Sequence, residues 1–168
     1  LPGLASTSDD NTVAITGGIT SEAQILGSIV ADMVEHYTDK KTNVINNLAT
    51  TTINHQAMLN GDASISAARY TGTDVTTTLG LPAEKDPKKA FNLVQSEFEK
   101  RYQQTWFPSY GFENTYVFLV TKETAEKYNL KTVSDSGKVA DKLGAGVDTA
   151  WITREGDGYE GFKKEYNF

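Results

Sequence analysis

The stretch "NTVAITGGITSEAQILGSIVADMVEHY", Asn11–Tyr37, decides the fold. Asn11–Thr16 carries β-branched residues and reads as a strand. It runs into Gly17-Gly18, and a helix follows. Ser21 and Gln24 stand at capping-box spacing at the helix start. Ile25, Leu26, Ile29, Val30, Met33 and Val34 recur at helical period, so the spacing predicts one buried apolar stripe. Downstream, "TNVINN" (Thr42–Asn47) suits a short strand and "TTTINHQAMLNG" (Thr50–Gly61) a helix closed by Gly61. "DASISAARY" (Asp62–Tyr70) alternates well enough for a third strand. Strand–helix–strand–helix–strand is the rhythm of a mostly parallel sheet covered by helices, an α/β fold.

The clearest helix is "EKDPKKAFNLVQSEFEKRYQQ" (Glu84–Gln104), with Asp86 as its cap and Pro87 in its first turn. Ala90, Phe91, Val94 and Phe98 form its apolar side. Pro108 and Gly111 then break the pattern in "TWFPSYGFEN" (Thr105–Asn114), which reads as a crossing between two lobes. Beyond it, "TYVFLVT" (Thr115–Thr121) is expected as a buried strand and "KETAEKYNL" as a short helix. "VSDSGKVADKLG" is expected as a helix capped by Ser134, "AGVDTAWI" (Ala145–Ile152) as a strand, and "GYEGFKKEYNF" as a last helix.

The balance of 16 basic and 22 acidic residues, net −6, with no Lys/Arg cluster, argues against nucleic acid and anionic membrane as partners. No apolar run nears the length of a membrane-spanning helix. The start "LPGLASTSDDNT" lacks the charged and apolar regions of a signal peptide, and residues 1–10 read as a flexible leader. Cysteine is absent, which removes disulfides, thiolate metal sites and cysteine nucleophiles, and says nothing of compartment.

Chemistry is sparse. His36 and His55 have no metal-ligand spacing and read as surface or helix-packing side chains, so neither a metal nor a cofactor is expected. No G-x-S-x-G elbow marks a hydrolase. Gly144-Ala145-Gly146 precedes its expected strand, which fits a helix stop better than a dinucleotide loop. Gly17-Gly18 follows a strand but lacks the lysine of a phosphate-binding loop; it is a tight turn, or a place where backbone N–H groups meet a carboxylate. Trp106 and Trp151 read as packing residues. Tyr70 is different. It is expected at a strand's carboxyl end, the edge where open α/β sheets bind ligands. Tyr116 starts the first strand expected beyond the crossing. Two such tyrosines either face one cleft and hold an organic cation on their ring faces, or they pack in ordinary cores.

Three segments carry a resemblance: "NHQAMLNGDASISAARYTGTDVTTTLG", the run from Glu84 to Tyr128, and "GDGYEGFKKEYNF". They closely resemble the substrate-binding proteins of osmoprotectant ABC transporters, which serve glycine betaine, carnitine, choline and related quaternary amines. The likeness runs from about Val13 to Phe168. It implies a type II periplasmic-binding-protein fold, two three-layer α/β lobes that close on a ligand held in a cage of tyrosines. By that resemblance Tyr70 and Tyr116 are cage walls, and Thr73 is a polar contact near the ligand's other end. Gly18 stands where many relatives carry a glutamine, so a contact to the ligand's carboxylate is missing or made by backbone N–H groups.

The resemblance also implies an exported receptor, lipid-anchored in Gram-positive-type envelopes or periplasmic elsewhere, which delivers solute to a membrane permease without covalent chemistry. Its members are considerably longer. The implied layout is a leader at 1–10, lobe one over 11–107, and a crossing with an incomplete second lobe over 108–168. A lobe cut short exposes sheet edges and apolar area, so weak binding by this chain alone and self-association or domain swapping are expected. Two other readings stay open: a receptor for an amino acid or anion, which needs an arginine clamp, and a small α/β enzyme.

Overall fold

The computed structural model describes residues 11–167. The expected leader at 1–10 lies outside them. The chain divides into two compact units, Leu1–Phe107 and Pro108–Phe168.

The first unit is built on a three-stranded sheet. Strand β1 (Thr12–Thr16) is central, with β2 (Lys41–Ile45) on one side and β3 (Ile65–Ser66) on the other, both parallel to it. Helix α1 (Ser21–Tyr37) links β1 to β2, and α2 (Thr51–Leu59) links β2 to β3. Right-handed crossovers moving in these opposite directions put the two helices on opposite faces of the sheet. The expected third strand shrinks to two paired residues, because the chain leaves the ladder after the Ala67 N–H donates to the Thr16 carbonyl at 2.9 Å.

Helix α1 is where the apolar stripe is corrected. Its buried residues are Ala23, Leu26, Gly27 and Ala31, while Ile25, Ile29 and Met33 are half exposed. Small side chains let the helix lie close to the sheet: a Cβ on Gly27 would stand 3.0 Å from Val44 Cγ1. The contact stripe therefore follows Ala23, Gly27 and Ala31, about one helical turn apart, with Leu26 and Val30 beside it, while Ile25, Ile29 and Met33, two positions away, turn outward. The cap also differs. Thr20, not Ser21, accepts the Ala23 N–H at 3.2 Å.

Helices α3 (Thr71–Thr77) and α4 (Pro87–Tyr102) complete the unit. Asp86 caps α4 by accepting the Lys88 and Lys89 N–H groups, as its sequence indicates. Ala90, Val94 and Phe98 bury one α4 face against Val75 and Leu79, with Trp106 packed alongside.

In the second unit the described residues form only helices: α5 (Lys122–Tyr128), α6 (Val133–Gly137), α7 (Thr149–Thr153) and α8 (Tyr159–Tyr166), with a 3₁₀ turn at Ala140–Lys142. Both strands expected here are absent. Residues 115–121 are unladdered, and Tyr116, Val117 and Leu119 are mostly exposed. An apolar run becomes a strand only with a neighbour to hydrogen-bond, and no ladder is described in this unit. Part of 145–152 is instead α7, because the Asp148 carboxylate accepts the Ala150 and Trp151 N–H groups and starts a helix. The cap of α6 is Thr132 in a reciprocal box with Asp135, not Ser134. Hydrogen bonds from Lys138, Thr132 and Lys131 lower the Asp135 pKa to about 2. An apolar cluster of Phe118, Trp151, Tyr159 and Phe162 holds α7 and α8 together.

Candidate ligand-binding site

The carboxyl ends of β1 and β3 lie side by side, joined by a hydrogen bond from Thr16 Oγ1 to Ser66 Oγ at 2.9 Å. Gly17-Gly18 and the first turn of α1 follow β1, and Tyr70 with the first turn of α3 follows β3. Tyr70 and Glu22 meet there. The phenol hydroxyl donates to Glu22 Oε1 across 48 residues of chain.

The expectation that Tyr70 ends a strand is not met. Tyr70 lies beyond β3 as the N-cap residue of α3, and its carbonyl accepts the Asp74 N–H at 2.9 Å. Its ring is half-buried, and so is Thr73 in the first turn of α3. Gly18 is buried, and a Cβ there would stand 2.9 Å from Ala23 Cβ, so the turn takes nothing larger without a shift. The neighbouring Gly17 N–H donates to the Ile45 carbonyl at 3.0 Å and extends the sheet.

The loop carrying Tyr70 and Thr73 is pinned from beneath. Arg69 donates to both carboxylate oxygens of Asp74, which is fully buried, and Thr78 Oγ1 donates to the same carboxylate. The Arg69 guanidinium also stands 5.6 Å from the centre of the Phe98 ring. Tyr70 and Thr73 are thus held between the two ends of one buried ion pair.

In the second unit Tyr116 is 68% exposed. It does not begin a strand, for want of a ladder. The Arg154 guanidinium stands 5.1 Å from its ring centre, and Nη1 is 3.5 Å from the phenol oxygen. Arg154 in turn pairs with Asp157 at 2.9 Å. Tyr116 also borders an open hollow of about 1290 Å³ in this unit.

The structure thus brings Tyr70, Thr73 and Gly18 to elements following the carboxyl edge of the first unit's sheet, and sets Tyr116 under a guanidinium in the second. Sequence reasoning missed Glu22 and the stacking of Arg154 on Tyr116. Glu22 was one acid in a helix's first turn, and nothing local tied it to a tyrosine 48 positions away. His55 is a packing residue, as read: it lies edge-on to Phe98 and Tyr102 at 5.5 and 4.5 Å. Among the described residues no group of acids and histidines is placed to hold a metal, and no helix is long and apolar enough to cross a membrane.

Residues 11–168 match the family described as the substrate-binding domain of ABC-type glycine betaine transport systems. The carnitine transport binding protein OpuCC of Listeria monocytogenes is 54% identical over 167 residues, 99% of this chain and 54% of that protein. The ergothioneine transport permease/ergothioneine binding protein EgtU of Helicobacter pylori is 32% identical over 89% of this chain and 26% of that protein. A crystal structure of a glycine betaine/carnitine/choline ABC transporter superposes with a TM-score of 0.72 at 52% identity, covering 94% of this chain and 58% of that one. Apo YehZ of Escherichia coli shares the fold, with a TM-score of 0.57 at 22% identity. The chain spans about half the length of the carnitine transport binding proteins it matches. These neighbours carry the α/β binding-protein fold that the sequence implied. The chain belongs to the substrate-binding-domain family of ABC-type glycine betaine transport systems.

Proposed function

We propose that the protein is an extracytoplasmic receptor that captures quaternary-amine osmoprotectants, of the glycine betaine, carnitine and choline kind, and hands them to an ABC permease. The identity of 54% across 99% of the chain with a carnitine transport binding protein carries this reading. Tyr70 and Tyr116 are its aromatic walls, with Thr73 and the Gly18 turn as polar contacts. A quaternary ammonium has no N–H to donate, so ordinary hydrogen bonds do not hold it. Ring faces do, each contributing about 0.5–2 kcal/mol. A lipid anchor on the outer face of the membrane is part of the same reading, as is delivery without covalent chemistry.

The arginines weigh against the amino-acid or anion receptor. Arg69 is spent on Asp74, Arg101 on Glu97 and the Leu79 carbonyl, and Arg154 on Asp157. A carboxylate clamp would have to break one of these pairs.

Calorimetry of choline, carnitine and glycine betaine with the full-length protein tests the reading. Binding of at least one is expected, and Tyr70→Ala should weaken it at least about tenfold, the worth of one strong ring contact. Absence of binding to all three, or an unchanged affinity in Tyr70→Ala, would overturn it.

A further inference from the structure

The hydrogen bond between Tyr70 and Glu22 puts a carboxylate at the hydroxyl end of the ring assigned to the ligand's ammonium group. We propose that Glu22 is a specificity-determining residue: its charge, coupled through the Tyr70 hydroxyl, favours quaternary amines that lack an acid group over zwitterions. This rests on the quaternary-amine reading above and adds to it a residue and a direction of selectivity.

Two physical effects act together. A phenol that donates to a carboxylate gains electron density, and a richer ring face attracts a cation more strongly. The carboxylate also attracts the cation directly, and screening is weaker at a part-buried position than in open solvent. An alcohol such as choline feels only attraction. Glycine betaine brings its own carboxylate a few ångströms from its ammonium, and repulsion from Glu22 cancels part of the gain. The nearest polar contact assigned on Tyr70's own helix, Thr73, is neutral and supplies no such bias.

Glu22 is well placed to act this way. It lies in the first turn of α1, where negative charge is favoured by the helix dipole. The Thr20 cap fixes that turn, and the Gly17-Gly18 corner, too tight for a side chain, sets where it begins. Glu22 acts on the ligand through Tyr70 and is a positioning and field-setting residue.

The test is calorimetry of choline and of glycine betaine with full-length wild type, Glu22→Gln, Glu22→Asp and Glu22→Ala. Glu22→Gln keeps an acceptor oxygen for the phenol and removes the charge. It should weaken choline about fivefold, the upper end for a partly exposed charge interaction, and glycine betaine by less than about twofold. Glu22→Asp should restore part of the choline preference. A purely structural role would move both ligands together, and Glu22→Gln least of all. If Glu22→Ala does not fold, the Gln and Asp variants decide the matter alone. An unchanged choline-to-betaine ratio in Glu22→Gln, with both ligands bound by wild type, overturns the role of Glu22 and leaves the receptor reading standing. A wild type that binds neither ligand overturns the receptor reading itself.

Discussion

The Arg154 guanidinium stands 5.1 Å from the centre of the Tyr116 ring, anchored by its ion pair with Asp157. Tyr116 therefore already engages a cation, by the chemistry proposed for the ligand. An incoming ammonium either displaces Arg154 or takes a ring whose other face is made less attractive by like charge. Arg154→Gln is expected to tighten choline binding by the full-length protein by about threefold, the scale of an exposed cation–π contact. Calorimetry reads this directly, and a weaker complex would mean that Arg154 supports the ring more than it competes for it.

The Arg69–Asp74 pair brackets Tyr70 and Thr73 and is almost wholly buried, with 9% and 0% of the two side chains exposed. Removing one partner strands a charge without water. Asp74→Ala is expected to cost about 3–5 kcal/mol, and the double change Arg69→Met/Asp74→Leu much less, since it removes both charges. Urea denaturation of the three proteins measures this. Equal losses in the single and double variants would mean that packing of α3, not the charge pair, holds the loop.

His55 gives the first unit a pH dependence. It is 9% exposed, and neither ring nitrogen has a hydrogen-bond partner among the described residues. Burial lowers its pKa below 6.5, and the Arg69 charge lowers it further, opposed by Asp74. The native state then binds fewer protons than the unfolded chain between the folded pKa and 6.5. The stability that neutral His55 contributes is fully present above 6.5 and is lost as pH falls through the folded value. His55→Phe, which keeps a ring against Phe98 and Tyr102, should flatten the fall of the urea midpoint as pH drops below 6.5. An unchanged slope would assign the acid sensitivity to other groups.

What could be read in advance follows from range. The β1–α1–β2–α2 order, the Asp86 cap and the Ala90–Val94–Phe98 face depend on residues a turn or a strand apart, and these were legible. The contact stripe of α1 was legible only in part: Leu26 and Val30 pack inward, but Ala23, Gly27 and Ala31, which offer less apolar area than Ile25 or Met33, are the residues that let the helix sit close to β2. The runs at 115–121 and 145–152 have strand composition, but composition does not supply a ladder partner, and Asp148 favours a helix start. In the candidate site, Tyr70 stood out as an aromatic just before a run of hydroxyls. Its link to Glu22 and the Arg154–Tyr116 stack join residues 48 and 38 positions apart, beyond any local pattern.

The α7–α8 corner leads to a final prediction. A Cβ on Gly158 would lie 2.1 Å from the Arg154 carbonyl oxygen and 2.6 Å from that of Trp151. One on Gly161 would lie 2.1 Å from the Gly156 carbonyl oxygen. These are backbone atoms, so a methyl group must push the two helices apart; overpacking of this kind costs about 1–3 kcal/mol. The strain would fall on the bond from Trp151 Nε1 to the Asp157 carbonyl, 3.1 Å long, and on the Phe118–Phe162 stack at 4.6 Å. In a Trp106→Phe background, where Trp151 is the remaining tryptophan, Gly158→Ala and Gly161→Ala should red-shift the emission and lower its unfolding midpoint. Gly144→Ala, whose Cβ would meet no atom within 4 Å, is the control and should leave both unchanged. Because Arg154 caps the end of α7, the same displacement should also loosen its hold on Tyr116. Gly158→Ala with a native Trp151 signal would show that the corner yields without disturbing the aromatic cluster.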